Sequence, residues 1–223
     1  ALLQESTVTD DGFIVDDTGK IVNMDDLGMD NLKPQLEKML SGYQGTWSVY
    51  VKDLNEEKEI LINDTSLYSA SLIKAFVMAK TYEDMEQVKA DEAKKLNTAD
   101  TKTVDVKLND LLWNMITVSD NDSANELVRK LGGGDFQTGA AIVNEFCQER
   151  NYTSTHLGRE FLASDPTDDN YTSASDCCRL LSDIYNSSLV NAEASAEMLA
   201  LLTSQTKTAK IPAGVPSGTA TAN

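Results

Sequence analysis

The 223-residue sequence is poor in the residues that many catalytic and metal-binding schemes require. It has a single histidine, His156, and three cysteines. One histidine with no cysteine or carboxylate at ligand spacing argues against a histidine-centred zinc site. It also leaves any Ser-His-Asp arrangement resting on that one residue. Cys177 and Cys178 are adjacent and Cys147 stands apart, which makes neither a disulfide framework nor a metal pattern. All three read as plain buried thiols. Positive charge is scarce too, with 19 Lys and Arg against 36 Asp and Glu and a formal net charge of −17. Nucleic acid and anionic membrane surfaces need cationic patches, so the balance argues against both as partners. An anionic small ligand must be met by a local positive site inside a repulsive field. No apolar run reaches the roughly 18–20 residues that span a bilayer. No signal-peptide pattern heads the 223 residues, a condition that mature secreted and cytosolic proteins share.

What is present is an ordinary globular composition, 41% hydrophobic and 25% charged, long enough to bury a core. Residues 1–30 are rich in Asp, Thr and Gly and read as an acidic arm or linker with room for a strand around Phe13-Ile14-Val15. Leu32, Leu36, Met39 and Leu40 recur at helical spacing, with Pro34 in the first turn and Ser41-Gly42 as the stop. Trp47, Val49 and Val51 alternate with polar residues, as do Ile60 and Ile62 with Leu61 and Asn63. Asn55-Glu56-Glu57 between them predicts a hairpin. An apolar helix is predicted from Ser71 to about Tyr82, and further helices over 107–117, 121–132, 135–148, 172–187 and 191–203. Gly132-Gly133-Gly134 reads as punctuation between helices, because it lacks the Gly-Lys-Ser/Thr ending of a phosphate loop. The polar stretch 151–171 reads as a long loop, a type that in compact domains is usually functional or disordered. Two strands make no stable sheet alone, and the extended segment read at 211–223 stops where partner strands are expected. On sheet logic the sequence looks unfinished.

Ser71-Leu72-Ile73-Lys74 opens a helix that continues Ala75-Phe76-Val77-Met78-Ala79. A helix apolar all round is a buried one, and an unpaired buried ammonium tends to lose its proton. The i, i+3 spacing puts Ser71 and Lys74 on one face, and the helix N-terminus favours a developing oxyanion. A neutral lysine there can take a serine proton. The plainer reading is a capping serine and a lysine that reaches solvent. Ser119-Asp120-Asn121 lies at a short turn between two apolar helical runs, where polar side chains can project into a cleft. Its plainer reading is a capping turn.

Together and in this order, Ser71-x-x-Lys74 and Ser119-Asp120-Asn121 resemble the class A β-lactamase and penicillin-binding superfamily, whose signature adds Lys-Thr-Gly. The resemblance covers roughly residues 31–223. It includes the two strands before the serine helix, the run Met115 to Asn125, and Thr155-x-Leu157-x-Arg159 followed by Asn170-Tyr171-Thr172-Ser173. It implies an α+β fold (an α/β sandwich), in which an antiparallel sheet is flanked by helices beside an all-helical subdomain. Ser71 then stands at the N-terminus of the buried central helix. Residues 31–68 and 204–223 would belong to the α/β subdomain, and 69–203, with the loop 151–171, to the helical one. Ser71 is implied as the acylated nucleophile and Lys74 as its activator. Ser119 is implied as the proton relay to the departing nitrogen, and Asn121 as the holder of Lys74 and of the substrate amide. The Ser71 N–H would supply half of an oxyanion hole. Arg159 is expected to anchor the long loop to Asp168 or Asp169.

Two departures from the family pattern stand out. Lys-Thr-Gly is not among the 223 residues, so the C-terminal strands are expected to be missing from this chain, with a separate C-terminal fragment one way to complete the fold. The loop glutamate that primes water for deacylation in class A β-lactamases falls, counting from Arg159, at Phe161. Glu160 lies one residue too early. The resemblance therefore implies the β-lactamase-related serine hydrolase branch, acylated by β-lactams or a related amide or ester, with weak deacylation. The alternatives are a penicillin-binding or peptidase-like protein, or a non-catalytic extracytoplasmic binding module that keeps the fold. No cofactor or metal is implied. The expected partner is a small β-lactam or cell-wall peptide-like substrate, and the expected location is extracytoplasmic, in the bacterial cell envelope.

Overall fold

The computed structural model describes residues 7–8, 14–15, 28–163, 167–209, 211–215 and 221. They fall into two compact units, Ala1–Asp64 with Ala209–Thr219, and Thr65–Thr208 with Ala220–Asn223. In the first unit, β1 (Thr7–Val8) pairs antiparallel with β2 (Ile14–Val15) within the stretch read as an acidic arm. Helix α1 (Gly28–Leu40) starts before the expected Asn31, so that Pro34 stands at its midpoint and not in its first turn. The predicted hairpin forms from β3 (Val49–Lys52) and β4 (Glu59–Ile62), with Val51 opposite Ile60. Its turn is built by Asp53, whose carboxylate accepts from the amides of Asn55 and Glu56 at 2.8 and 3.1 Å. Glu57 takes the left-handed conformation that closes it. The segment at 211–223, expected to be extended, instead makes a 3-10 turn over Ile211–Gly214. Pro212 carries no N–H for a strand ladder, which favours the turn. Residues 216–220, 222 and 223, where a strand was also expected, lie outside the described residues.

The second unit is a helical body on which the chemistry is mounted. Strand β5 (Leu67–Tyr68) leads to α2 (Lys74–Glu83), whose Phe76, Val77, Met78 and Ala79 are fully buried. The expected helix from Ser71 therefore starts three residues late. Residues 71–73 are turns closed by i→i+3 bonds, Leu72 N–H to Ser69 O and Lys74 N–H to Ser71 O. Helix α3 (Met85–Leu96) was not foreseen, because Met-Glu-Gln-Val-Lys-Ala-Asp-Glu carries no apolar stripe. It buries only Val88 and Glu92, and Glu92 is held by Lys107 at 2.5 Å and by Lys130. Helix α4 (Thr101–Thr117) begins earlier than its apolar periodicity suggests, since Asp100 caps it through the Lys102 amide. Helix α5 (Asn121–Leu131) is capped by Asp120, and α6 (Phe136–Glu149) by Asp135. Between them Gly133 and Gly134 have positive φ, as helix punctuation requires. A Cβ on Gly139 would lie 1.9 Å from the Val128 carbonyl oxygen, so α5 and α6 pack backbone to backbone there. The long loop ends in β6 (Tyr171–Thr172), which pairs with β5, Tyr68 opposite Tyr171. Helices α7 (Ala174–Tyr185) and α8 (Ala192–Thr203), capped by Ser173 and Asn191, complete the unit. Among the described residues no helix is long and apolar enough to cross a membrane.

Candidate active site

The capping explanation for Ser71 does not hold in the structure. The N-cap of α2 is Ile73, without a side-chain cap bond, and Ser71 is exposed on the turn before it. Lys74 does not reach solvent either; it is 2% exposed. Its ammonium donates to the Ser119 carbonyl at 2.7 Å, to Asn121 Oδ1 at 2.8 Å and to Ser119 Oγ at 3.1 Å. Ser119 Oγ in turn donates to Ser71 Oγ at 2.9 Å. The four residues picked out by the two motifs thus form one continuous hydrogen-bonded chain.

Local backbone choices put them there. Ala70 and Ser119 both have positive φ, 47° and 62°, a conformation that costs a non-glycine residue about 1–3 kcal/mol. At Ser119 the left-handed residue ends the α4 exit and turns its carbonyl and hydroxyl together toward Lys74. Asp120 then caps α5 by accepting from the Ser123 amide at 2.7 Å. That bond holds Asn121 in the first turn with its amide oxygen inward.

The partners of Lys74 are a hydroxyl, a carbonyl and an amide oxygen, all neutral. Burial penalises its charge with no bonded carboxylate to compensate, and the pKa falls to about 8. Asp120 pulls it back up in part, and the positive charge of Lys207 pushes it further down. The Phe161 ring lies 5.0 Å from Nζ.

The loop residues are fixed by a separate network. Arg159 Nε donates to Asp169 at 2.8 Å, and its other nitrogens reach the Glu160 carbonyl and the Tyr68 hydroxyl. Of the two expected anchors it takes Asp169, while Asp168 sits 2.5 Å from His156 Nε2. A Cβ on Gly158 would meet the Asp168 carboxyl carbon at 2.6 Å, so only glycine lets the two arms of the loop close so tightly. Buried Asn170 accepts from the amides of Gly158 and Arg159. Glu160 turns away from the lysine and pairs with Arg129 at 2.6 Å. Phe161 occupies the inward position, its backbone gripped by Asn125, which accepts from the Phe161 amide at 2.9 Å and donates to its carbonyl at 3.4 Å. Asn125 was not singled out in the sequence. Its position four residues after Asn121, on the same face of α5, was the available signal. Among the described residues no three His, Cys, Asp or Glu side chains gather as a metal site.

The fold has counterparts among solved structures. TLA-3 extended-spectrum β-lactamase matches with a TM-score of 0.69 at 18% identity, over 86% of this chain and 76% of that one. A β-lactamase from Sphaerobacter thermophilus matches at 0.64 and 19%, over 83% and 73%. PBP-A matches at 0.66 and 19%, over 85% and 74%. No curated protein matches the chain. The model of the β-lactamase enzyme family matches residues 31–223, and with that match the chain belongs to this family, with the fold of class A β-lactamases.

Proposed function

We propose that the protein is a serine hydrolase acylated at Ser71 by β-lactams or a related amide or ester, and that it releases the acyl group slowly. The observation that carries this reading is the unbroken chain Ser71–Ser119–Lys74–Asn121. A lysine ammonium has three donors, and all three are used. When Lys74 is neutral, the two shorter bonds, to the Ser119 carbonyl and Asn121, hold its two remaining hydrogens. Its lone pair then faces Ser119 Oγ. Hydroxyl hydrogens rotate freely, so Ser119 can accept the Ser71 proton while passing its own to Lys74. Ser71 Oγ attacks the substrate carbonyl carbon as this transfer occurs. The carbon–nitrogen bond then breaks, and Ser119 returns a proton from Lys74 to the leaving nitrogen. The Ser71 amide meets no acceptor among the described residues, leaving it available to the oxyanion.

Hydrolysis of the acyl-enzyme needs a base for water. The carboxylate nearest in sequence to the inward loop position, Glu160, is bound to Arg129, and an apolar ring stands at that position instead. The acyl-enzyme is therefore long-lived. Incubation with a chromogenic cephalosporin tests this by mass spectrometry. A single burst and a persistent adduct on Ser71, absent in Ser71→Ala, are expected. Sustained rapid turnover would refute the slow release, and no adduct at all would refute the enzyme. We also propose an extracytoplasmic, cell-envelope location, because the family's substrates are cell-wall peptides and their mimics. Fractionation of the native host checks it.

A further inference from the structure

Away from Ser71, the helical unit holds a cavity of about 720 Å³ between the C-terminal end of α2, the start of α3 and one side each of α4 and α8. That volume lies within the range of small-molecule sites. Tyr82, where α2 reaches the lining, stands eight residues from Lys74, about 12 Å along the helix. On α4 the lining follows one face, Asp105, Asn109, Leu112 and Trp113, at the i, i+4, i+7, i+8 spacing of a helix side. Helix α8 contributes the small residues Ala194, Ala200 and Ser204, which leaves the space between the two helices unfilled. Buried Leu112 and Ala194 give the cavity an apolar floor. The Trp113 indole is 50% exposed and has no hydrogen-bonding or ring partner among the described residues.

The rim is acidic. Lys89, the only cation of the described lining, bonds Asp105 at 2.8 Å, and Glu86 and Glu197 also favour its charged form. Glu86, Glu193 and Glu197 are exposed, and none of them forms a salt bridge among the described residues. Burial and the neighbouring Glu197 carboxylate raise the Tyr82 phenol above its ordinary pKa, so Glu197 directs its charge toward the α2 end of the cavity.

This chemistry selects among ligands. An anion is repelled by the rim and by the net charge of −17. A neutral apolar molecule would strip water from the carboxylates and leave them unpaired. Among the described residues no three carboxylates gather closely enough for a metal ion. An organic ammonium with an apolar body fits every wall, its body on Leu112 and on an indole face that attracts cations. We infer that this cavity binds an amphiphilic organic ammonium ion, seated against Trp113 with its charge held by Glu86, Glu193 and Glu197. The inference stands apart from the reading of Ser71.

Trp47 and Trp113 are the two tryptophans of the sequence, so in Trp47→Phe protein the indole emission reports on Trp113. Benzyltrimethylammonium should shift that emission saturably, with a Kd of about 1 mM or tighter. Benzyl alcohol should bind at least about fivefold more weakly, and phenylacetate should not bind. Calorimetry reads the remaining variants. Glu86→Gln/Glu193→Gln/Glu197→Gln should weaken binding of the ammonium by about fivefold or more. Trp113→Leu should cost about as much, and Trp113→Phe, which keeps a ring, less. All four positions are exposed, so the variants should melt with the parent protein. Should Trp113→Leu fail to fold, Trp113→Phe and the triple glutamine variant still decide the matter. No saturable binding of the ammonium, equal affinity for the three probes, or an affinity unchanged by both kinds of variant would overturn the inference.

Discussion

The two ends of helix α2 each withdraw a lysine from solvent, Lys74 fully and Lys80 in large part, and they treat it in opposite ways. Near the C-terminal end Lys80 is also removed from most solvent, but it bonds Glu83 at 2.8 Å and Asp84 at 2.9 Å. Burial alone would lower its pKa, and the two carboxylates outweigh burial, so the net shift is upward. At the N-terminal end Lys74 has only neutral oxygens within bonding distance and falls to about 8. One helix therefore holds, six residues apart, a lysine kept charged and a lysine able to lose its proton near pH 8. Carboxylate partners make the difference, not depth alone.

The largest effect tests whether Lys74 is used as that base. Lys74→Arg keeps the positive charge but cannot lose it near neutral pH. Acylation of Ser71 should fall by about 10²–10⁴-fold, the usual worth of a positioned base. In the unaltered protein the acylation rate should climb with pH along a limb centred near pH 8. A flat profile in stopped-flow acylation across pH 6–9 would make the two lysines functionally alike and break the comparison.

Phe161→Glu sharpens it by giving Lys74 the kind of neighbour that Lys80 has. The Asn125 clamp grips the backbone of residue 161, so a glutamate there should keep the inward position. Two outcomes are expected together. The new carboxylate supplies a base for water, and deacylation should accelerate by about 10²-fold or more. Its charge also favours the ammonium, so the acylation limb should move above pH 8. Adduct lifetime by mass spectrometry and the pH profile read the two effects independently.

Much of this was legible in the sequence, and the failures have physical causes. The Ser71 helix and the Ser119 turn were marked by residue type and spacing, because a lysine in an apolar helix and capping residues between apolar runs are local features, while Arg159 was marked only by the family resemblance. Helix α3 was missed because its buried face is narrow, Val88 packed with Met85 and Ala93 beside a Glu92 that only Lys107 and Lys130 make compatible with burial. The late start of α2 was missed because a left-handed Ala70 leaves no trace in composition. The choice between Asp168 and Asp169 for Arg159 depended on where the loop closes at Gly158.

A smaller effect concerns stability. Between pH 8 and 10.5 the folded Lys74 binds fewer protons than the unfolded one, whose pKa is the ordinary 10.5. Unfolding free energy from this group therefore rises with pH across that window. Relative to Lys74→Met, the unaltered protein should gain up to about 2–3 kcal/mol between pH 7.5 and 10.5. Urea melts of both proteins at each pH measure the difference. A constant offset would mean that burial does not penalise the charge.

The smallest effect belongs to Lys80 and serves as the control for everything above. Its two partners are partly exposed, so the ion pairs are screened and together worth about 0.5–1 kcal/mol. Lys80→Met should lower the melting point slightly, by less in high salt than in low. Glu83 retains Arg150 at 2.7 Å, which limits the loss by keeping that carboxylate paired. Because Lys80 donates to nothing in the Ser71–Ser119–Lys74 chain, the acylation limb should stay near pH 8 in this variant. A limb that moved with Lys80→Met would mean that the two ends of α2 are electrostatically one site, and the bonded neighbours of Lys74 would no longer explain why it is a base.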